Sequence, residues 1–277
     1  MKKTVFASDF LESFRNEGPP KLKTVIDPEG DPSLHWLNRH EDRGRIANER
    51  FLGTFTRRAI RLFDVVFSAL ALIALSPLFL LLAIVIKIES PGPVIYKQVR
   101  TGLNLRTGSR RRSDNISVMS ERRGPDRRKG GAPGRPFEIY KFRSMVSDAE
   151  KNGIQLAKKN DARITRLGKF MRRTRLDELP QFWNVLMGHM SIVGPRPERP
   201  EIIAYLEEQI PGYKERLGVK PGITGLAQIR NGYDTDLEHI RRKISLDRYY
   251  IQKCSLANDL KIILRTIRVV GKGEGAM

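Results

Sequence analysis

A mainly helical α+β protein seated on a membrane is the fold class that the 277 residues predict. Three observations carry it. Val65 to Ile86 is a run of 22 residues without a charged, amide or imidazole side chain, broken at its centre by Ser76-Pro77. Two short segments, 94–99 and 136–143, have the composition and alternation of strands. Beyond residue 145, apolar residues recur at helical spacing.

Residues 1–56 are mixed and charged, interrupted by Pro19-Pro20, Pro28 and Pro32, and carry no motif; they read as a weakly structured extension. The apolar run follows, within a membrane segment spanning 57–90. At ~1.5 Å per residue, a straight helix of its length crosses a ~30 Å hydrocarbon core. It begins too far into the chain for a secretory signal peptide, and no small-residue cleavage pattern follows it. Pro77 lacks a backbone donor and clashes with the preceding turn, so the helix kinks or breaks there. Arg57, Arg58 and Arg61 precede the run, and Lys87, Lys97 and Arg100 follow it. A spanning helix gathers its positive excess on the cytoplasmic side alone. Two arrangements satisfy these facts. One is a re-entrant helix–break–helix hairpin whose arms of about 11 residues, ~16 Å each, reach half the bilayer. The other is a proline-kinked spanning helix.

Residues 91–277 read as one further domain. Pro91-Gly92-Pro93 leads into the first strand candidate, and 136–143 is the second, so the two form a small β-hairpin. Between them, 105–133 holds nine Lys/Arg, three Asp/Glu and few large apolar residues. Such a segment cannot bury a core and reads as a flexible basic loop. It is either a lipid-headgroup or nucleic-acid patch, or a solvated insertion. Residues 201–209 and 236–252 have helix-like spacing. In the last helix, Leu256, Leu260, Ile263, Leu264, Ile267 and Val270 form one stripe, and Lys261, Arg265 and Arg268 another. This suits an amphipathic helix in a membrane interface, or a core helix with a solvated basic face.

The formal charge of +20 favours anionic partners: nucleic acid, anionic lipid or phosphorylated substrate. One cysteine, Cys254, rules out a disulfide framework and a cysteine-rich zinc site. His35, His40, His189 and His239 show no paired spacing, which disfavours a zinc hydrolase.

The candidate chemistry is concentrated in two strings. In Arg172-Arg173-Thr174-Arg175-Leu176-Asp177-Glu178, two adjacent carboxylates follow three arginines. Neighbouring guanidinium groups lower carboxylate pKa values, so both acids are expected to be ionised. An ionised aspartate can attack phosphorus and form an acyl phosphate. Two carboxylates can also hold Mg²⁺ beside a diphosphate. The same pair is equally a common surface salt-bridge pattern. In Gly194-Pro195-Arg196-Pro197-Glu198, prolines on both sides fix the backbone around Arg196, whose planar guanidinium suits bidentate phosphate contact. Lys141 and Arg143 add cations on the second strand. Asp234-Thr235-Asp236 reads as a turn before a helix, and Gly271 and Gly273 lack the context of a dinucleotide site.

Taken in order, Ser76-Pro77 inside the apolar run, YKFRSM (140–145), RRTRLDELPQFWNVLMGHMSIVGPRPE (172–198), KPGITGLAQI (220–229) and DRYYI with SLANDLKII (247–263) resemble the bacterial sugar transferase family. These are monotopic polyprenyl-phosphate phosphoglycosyl transferases. The resemblance covers about residues 57–275. It implies transfer of a sugar 1-phosphate from a nucleotide diphosphate sugar, by family analogy a UDP-sugar, to undecaprenyl phosphate. UMP leaves, and the product primes exopolysaccharide or O-antigen assembly at the cytoplasmic face of a bacterial inner membrane. It further implies Asp177 as covalent nucleophile and Glu178 as its partner, steering Mg²⁺ or the incoming phosphate. Arg172, Lys141, Arg143 and Arg196 would hold phosphates, and Ser76 and Pro77 would turn the membrane helix back. Asp247 and Asp259 match acidic positions without an assigned role.

The sequence departs from the family at four places. His189 stands where the family has Asp, and Arg175 replaces a small residue before the acidic pair. The 105–133 segment is an insertion, and the region around Cys254 lacks the usual tryptophans. Larger members carry N-terminal transmembrane helices and a further soluble domain, for which no counterpart is expected here. The alternative reading is a membrane-tethered nucleic-acid-binding protein that uses the basic loop. No RRM, KH or helix-turn-helix pattern accompanies that loop.

Overall fold

The computed structural model of the chain describes residues 34, 36, 37, 52–104, 134–149, 151, 161–210, 212–231 and 237–272. The basic loop at 105–133, Asp234-Thr235-Asp236, Gly273 and most of 1–56 lie outside the described residues. In chain order the elements are α1 (Thr54–Ala74), α2 (Ser76–Glu89), β1 (Ile95–Thr101), β2 (Pro136–Phe142), α3 (Arg166–Arg173) and a 3₁₀ turn (Leu176–Glu178). They continue with α4 (Gln181–Leu186), β3 (Ser191–Val193), α5 (Pro200–Gln209), a second 3₁₀ turn (Tyr213–Gly218), β4 (Gly222–Thr224), α6 (Leu226–Arg230), α7 (Leu237–Gln252) and α8 (Leu256–Gly271).

The apolar run is two helices, not one. Pro77 sits in the first turn of α2, where its missing N–H costs nothing. Leu75 closes α1 by donating to Ala71 O at 2.9 Å, and Ser76 Oγ donates to Ile73 O at 2.7 Å. The axes then bend by 58°. Among the described residues no single helix is long and apolar enough to cross a membrane, but the bent pair together has the length and composition. Leu62, Leu70, Ile73, Leu80, Leu81 and Ile88 are exposed along it. A contiguous apolar surface of this kind marks an interaction site for membrane or protein.

Polar contacts fix α1 to the rest of the fold. Arg61 donates to Val185 O (2.7 Å), which also accepts from Gly188 N, and to Leu186 O (2.8 Å) at the negative end of α4. Asp64 is buried and accepts from Ser191 Oγ and Ile192 N, both at 3.0 Å. On the other arm, Leu82 and Ile86 of α2 bury against Phe142 and Met171, and Phe79 meets the Phe142 ring edge-on at 5.4 Å.

β1 and β2 pair antiparallel, Ile95 opposite Phe142 and Thr101 opposite Pro136. β3 and β4 form a parallel two-stranded ladder, with Ser191 opposite Gly222 and Val193 opposite Thr224. Strands of three residues are too short for alternation to register in a sequence. The main core joins Ile139, Val185, Met190, Ile192, Tyr250 and Ile262. Leu34 and Leu37 belong to the same core, although they lie in the segment read as weakly structured. A second core packs α5 and the second 3₁₀ turn on α7 through Ile203, Leu206, Ile240 and Ile244.

On α8, Ile262 faces the core while Leu260, Leu264 and Ile267 are exposed. Two cations of its basic stripe are engaged by the N-terminal segment. The Arg265 guanidinium lies 3.9 Å from the Trp36 ring centroid, and Lys261 Nζ donates to Trp36 O at 2.8 Å.

Candidate active site

α3 ends in Thr174, and Arg175 then takes a left-handed conformation (φ 60°, ψ 14°). Among the described residues it is the one non-glycine with positive φ. Such backbone costs on the order of 1–3 kcal/mol and gathers at functional sites. It reverses the chain, so that the following 3₁₀ turn presents Asp177 and Glu178 together, both buried. Pro180 and α4 continue from that turn.

Glu178 is held by two cations from distant segments. Lys141 Nζ, near the end of β2, lies 2.8 Å from its Oε1. Arg196 Nη2 lies 2.6 Å from Oε1, and Nη1 lies 3.4 Å from Oε2. The loop carrying Arg196 runs from β3 to α5 without regular structure, yet its backbone is tied throughout. Gly194 N donates to Thr224 O (2.9 Å), Gly222 N to Pro195 O (3.0 Å) and Thr101 N to Glu198 O (2.9 Å). A Cβ on Gly194 would come within 2.3 Å of Lys220 O, so only glycine allows this approach.

The Asp177 carboxylate forms no hydrogen bond or ion pair among the described residues. Arg172 Nε donates to Ser144 Oγ at 2.9 Å, and its charge favours an ionised Asp177. Arg143 does not join the group. Its Nη2 donates to Ser90 O (2.6 Å), Ser90 Oγ (3.0 Å) and Ile86 O (3.3 Å), capping the end of α2. The structure therefore gives Arg143 helix carbonyls as partners where a phosphate was expected.

The two acids are not held alike, which corrects the expectation that arginines lower both. Burial and the neighbouring Glu178 charge push the Asp177 pKa above the ordinary carboxylate range, against Lys141, Arg172 and Arg196. Burial opposes ionisation of Glu178 too, but the Arg196 and Lys141 charges and their hydrogen bonds outweigh it and hold Glu178 well below that range. Burial also lowers the Lys141 pKa, with Glu178 resisting. Direct pairing, not mere nearness of arginines, decides which acid is depressed.

A cavity of about 370 Å³ opens beside this group. Glu178, Arg196, Arg175, Lys243, Gln228 and Asn231 give it a polar side, and Leu179, Phe182, Ile223, Val269 and Val270 an apolar one. Its volume falls within the ~300–1,000 Å³ typical of small-molecule sites.

Among the described residues no group of three His, Cys, Asp or Glu side chains could hold a metal ion. Mg²⁺ needs less, commonly one or two carboxylates completed by substrate phosphates and water. Asp177 has open oxygens, whereas Glu178 spends both of its own on Arg196 and Lys141. The donor set fits a metal held from Asp177 and disfavours one held from Glu178.

Sequence reasoning missed a second charged cluster behind Arg196. Glu198 is paired with Lys243 (2.7 Å), Arg100 (3.6 Å) and Arg216 (3.7 Å). Burial works against its ionisation, yet these cations bring its pKa down to about 2. Arg216 also pairs with Asp247 at 2.9 Å, which gives that acid a structural partner. Asp259 is buried and accepts from Tyr250 Oη at 2.8 Å. His189, at the position where an acid was usual, lies against the Phe137 ring at 5.9 Å.

Comparison with known proteins gives the family. The family model described as bacterial sugar transferase matches residues 55–109 and 116–273. The chain is 42% identical over 213 residues to the UDP-N-acetylgalactosamine-undecaprenyl-phosphate N-acetylgalactosaminephosphotransferase of Aeromonas hydrophila, covering 77% of this chain and 44% of that protein. It is 42% identical over 210 residues to the UDP-glucose:undecaprenyl-phosphate glucose-1-phosphate transferase of Klebsiella pneumoniae, covering 75% of this chain and 39% of that one. The exopolysaccharide production protein PSS of Rhizobium leguminosarum bv. phaseoli is 38% identical over 213 residues, covering 75% of this chain and 92% of its own length. The chain thus spans less than half of the first two relatives and nearly all of the third. The match extends from α1 through α8 and takes in the acidic pair, its two cations and the broken apolar run. On that footing the chain belongs to the bacterial sugar transferase family.

Proposed function

We propose that this protein transfers a sugar 1-phosphate from a UDP-sugar to undecaprenyl phosphate and releases UMP, supplying a first lipid-linked sugar for exopolysaccharide or O-antigen-type synthesis. One observation carries the reading: an unpaired, buried Asp177 stands beside a Glu178 that has drawn Lys141 and Arg196 to itself, and Glu178 and Arg196 line a cavity.

The mechanism follows from that asymmetry. An Asp177 oxygen attacks the β-phosphorus of the donor, and the bond from that phosphorus to the UMP oxygen breaks. UMP departs, leaving the sugar phosphate as an acyl phosphate on Asp177. A phosphate oxygen of the lipid then attacks the same phosphorus, and Asp177 is released as carboxylate. Lys141 and Arg196, fixed by Glu178, face the phosphate charge without reorganising, which is where preorganised electrostatics count most. A raised pKa makes Asp177 a stronger base than an ordinary aspartate. Mg²⁺, held from Asp177 and the donor phosphates, would supply further charge neutralisation.

A donor from water and an acceptor from lipid must meet at one depth. The exposed apolar faces of α1, α2 and α8 favour a re-entrant hairpin with α8 in the interface, seated on the cytoplasmic face of a bacterial inner membrane. The +20 charge favours that anionic surface.

The test uses purified protein in nanodiscs with undecaprenyl phosphate and a panel of UDP-sugars. UMP release is expected, and omission of the lipid should leave a phosphosugar adduct on the Asp177 peptide in mass spectra. Release of no UMP from any donor, or full activity in Asp177→Asn, overturns the reading.

A further inference from the structure

Arg196 reaches Glu178 from a loop with no helix or strand to stiffen it. Backbone bonds hold it at Gly194, Pro195 and Glu198, and at Arg196 itself the hold is a donor from a buried side chain. Arg216, in the second 3₁₀ turn, is 2% exposed; its guanidinium donates hydrogen bonds to three partners and also lies 3.7 Å from Glu198 Oε1 in the same loop. Nη2 donates to the backbone carbonyl of Arg196 at 3.0 Å. Nε donates to Asp247 Oδ2 at 3.0 Å, and Nη1 donates to Tyr213 Oη at 3.1 Å. A carbonyl next door, that of Pro197, receives Arg100 Nη1 at 3.2 Å.

We infer that Arg216, locked by Asp247, is a positioning residue for the transfer site: it holds the Arg196 backbone so that the Arg196 guanidinium meets Glu178. This rests on the proposed transfer reaction and adds residues that touch neither substrate nor acidic pair.

Three physical points support it. A buried ion pair is poor value for stability, since an apolar pair of equal volume is often as good or better. An apolar pair, however, offers no directed N–H to a loop carbonyl. The guanidinium fork is planar and rigid, so fixing one edge on Asp247 fixes the direction of the other. And a loop outside regular structure that bears a phosphate-facing cation gains from such a hold, because a displacement of about 1 Å at a reacting site can cost ~10²-fold in rate. Arg216→Lys keeps the charge and loses the fork.

The experiment is a double-mutant cycle joined to hydrogen exchange. Arg216→Lys and Asp247→Asn should each lower kcat/KM for UMP release on the order of tenfold to a hundredfold. In an Arg196→Lys background the same changes should cost far less, because the group being positioned is already altered. Hydrogen–deuterium exchange of the 194–199 peptide should be faster in both variants. Equal losses in both backgrounds, to within about twofold, would mean that Arg216 acts independently of Arg196 and overturn the inference. So would unchanged exchange at 194–199, a measurement that needs no activity. If the unaltered protein releases no UMP, the transfer reading fails, while the exchange result still decides whether Arg216 holds the loop. Asp247→Asn preserves side-chain shape and serves if Arg216→Lys does not fold.

Discussion

Arg196 Nη2 and Glu178 Oε1 stand 2.6 Å apart, and Lys141 Nζ approaches the same oxygen at 2.8 Å. One carboxylate thus organises both cations of the site and leaves its neighbour, Asp177, uncommitted. Replacing Glu178 by Gln removes the charge that gathers them without removing the nucleophile. We expect Glu178→Gln to lower kcat on the order of 10²-fold, comparable to losing a fixed charge-stabilising group, while Asp177→Asn abolishes turnover. The Glu178→Gln protein should still form the Asp177 adduct, slowly, in a single-turnover assay.

The pH profile should report the same asymmetry. Transfer needs Asp177 ionised, and burial with the Glu178 charge raises its pKa. The acid limb of kcat/KM should therefore lie above that of an ordinary aspartate, with activity lost as pH falls through it. Glu178→Gln deletes a negative neighbour and leaves Lys141 and Arg196 to act on Asp177. Both changes favour the carboxylate, so the limb should move to lower pH. A limb that stays in place, or rises, would show that Glu178 does not set the Asp177 charge state.

The acidic pair, Lys141, Arg196 and the Ser76-Pro77 break were legible because each sits in a short string with its own chemical logic. Arg143 was grouped with them for a related reason. Two cations two residues apart on a strand look equivalent in sequence, and nothing local reveals that α2 ends beside one of them. Arg216 and Asp247 lie 31 residues apart, and Arg61 reaches carbonyls 124 and 125 positions away. Contacts at such separations leave no periodic trace. Asp64, immediately before the uncharged run, was the one visible hint that α1 has a polar attachment.

Arg143 offers a clean contrast with Arg196. Its loss should uncap α2 and strip hydrogen bonds from Ser90 and Ile86, costing about 2 kcal/mol of stability. Differential scanning in detergent should show a lower melting temperature for Arg143→Ala. The KM for the UDP-sugar should change by no more than about twofold at a temperature where the variant is folded. A large rise in KM with an unchanged melting temperature would return Arg143 to the phosphate-binding set.

Topology can be read chemically. With Cys254 replaced by Ser, single cysteines at Thr54 and Lys97 bracket the apolar pair, and both positions are exposed. A re-entrant hairpin places both on the cytoplasmic side, so an impermeant maleimide should label both in inverted vesicles and neither in intact spheroplasts. Labelling from opposite sides would mean that α1 and α2, despite their 58° bend, cross the bilayer.

Asp259 gives a stability prediction with a definite sign. Burial raises its pKa to about 8, with the Tyr250 hydrogen bond opposing and the Asp64 charge adding to the rise. Unfolded, the group returns to its ordinary value near 3.8. Between these two values the folded state holds more proton than the unfolded one, so stability must fall as pH rises, by at most about 1.4 kcal/mol per pH unit. Asn cannot ionise and resembles the protonated acid in shape. The melting temperature of Asp259→Asn should therefore decline less than that of the unaltered protein between about pH 5 and pH 8. The two should converge at the acid end of that window, where Asp259 is neutral in the folded protein. Parallel curves across the window would mean that Asp259 is ionised in the fold, and that Tyr250 alone sustains a buried charge beside Asp64.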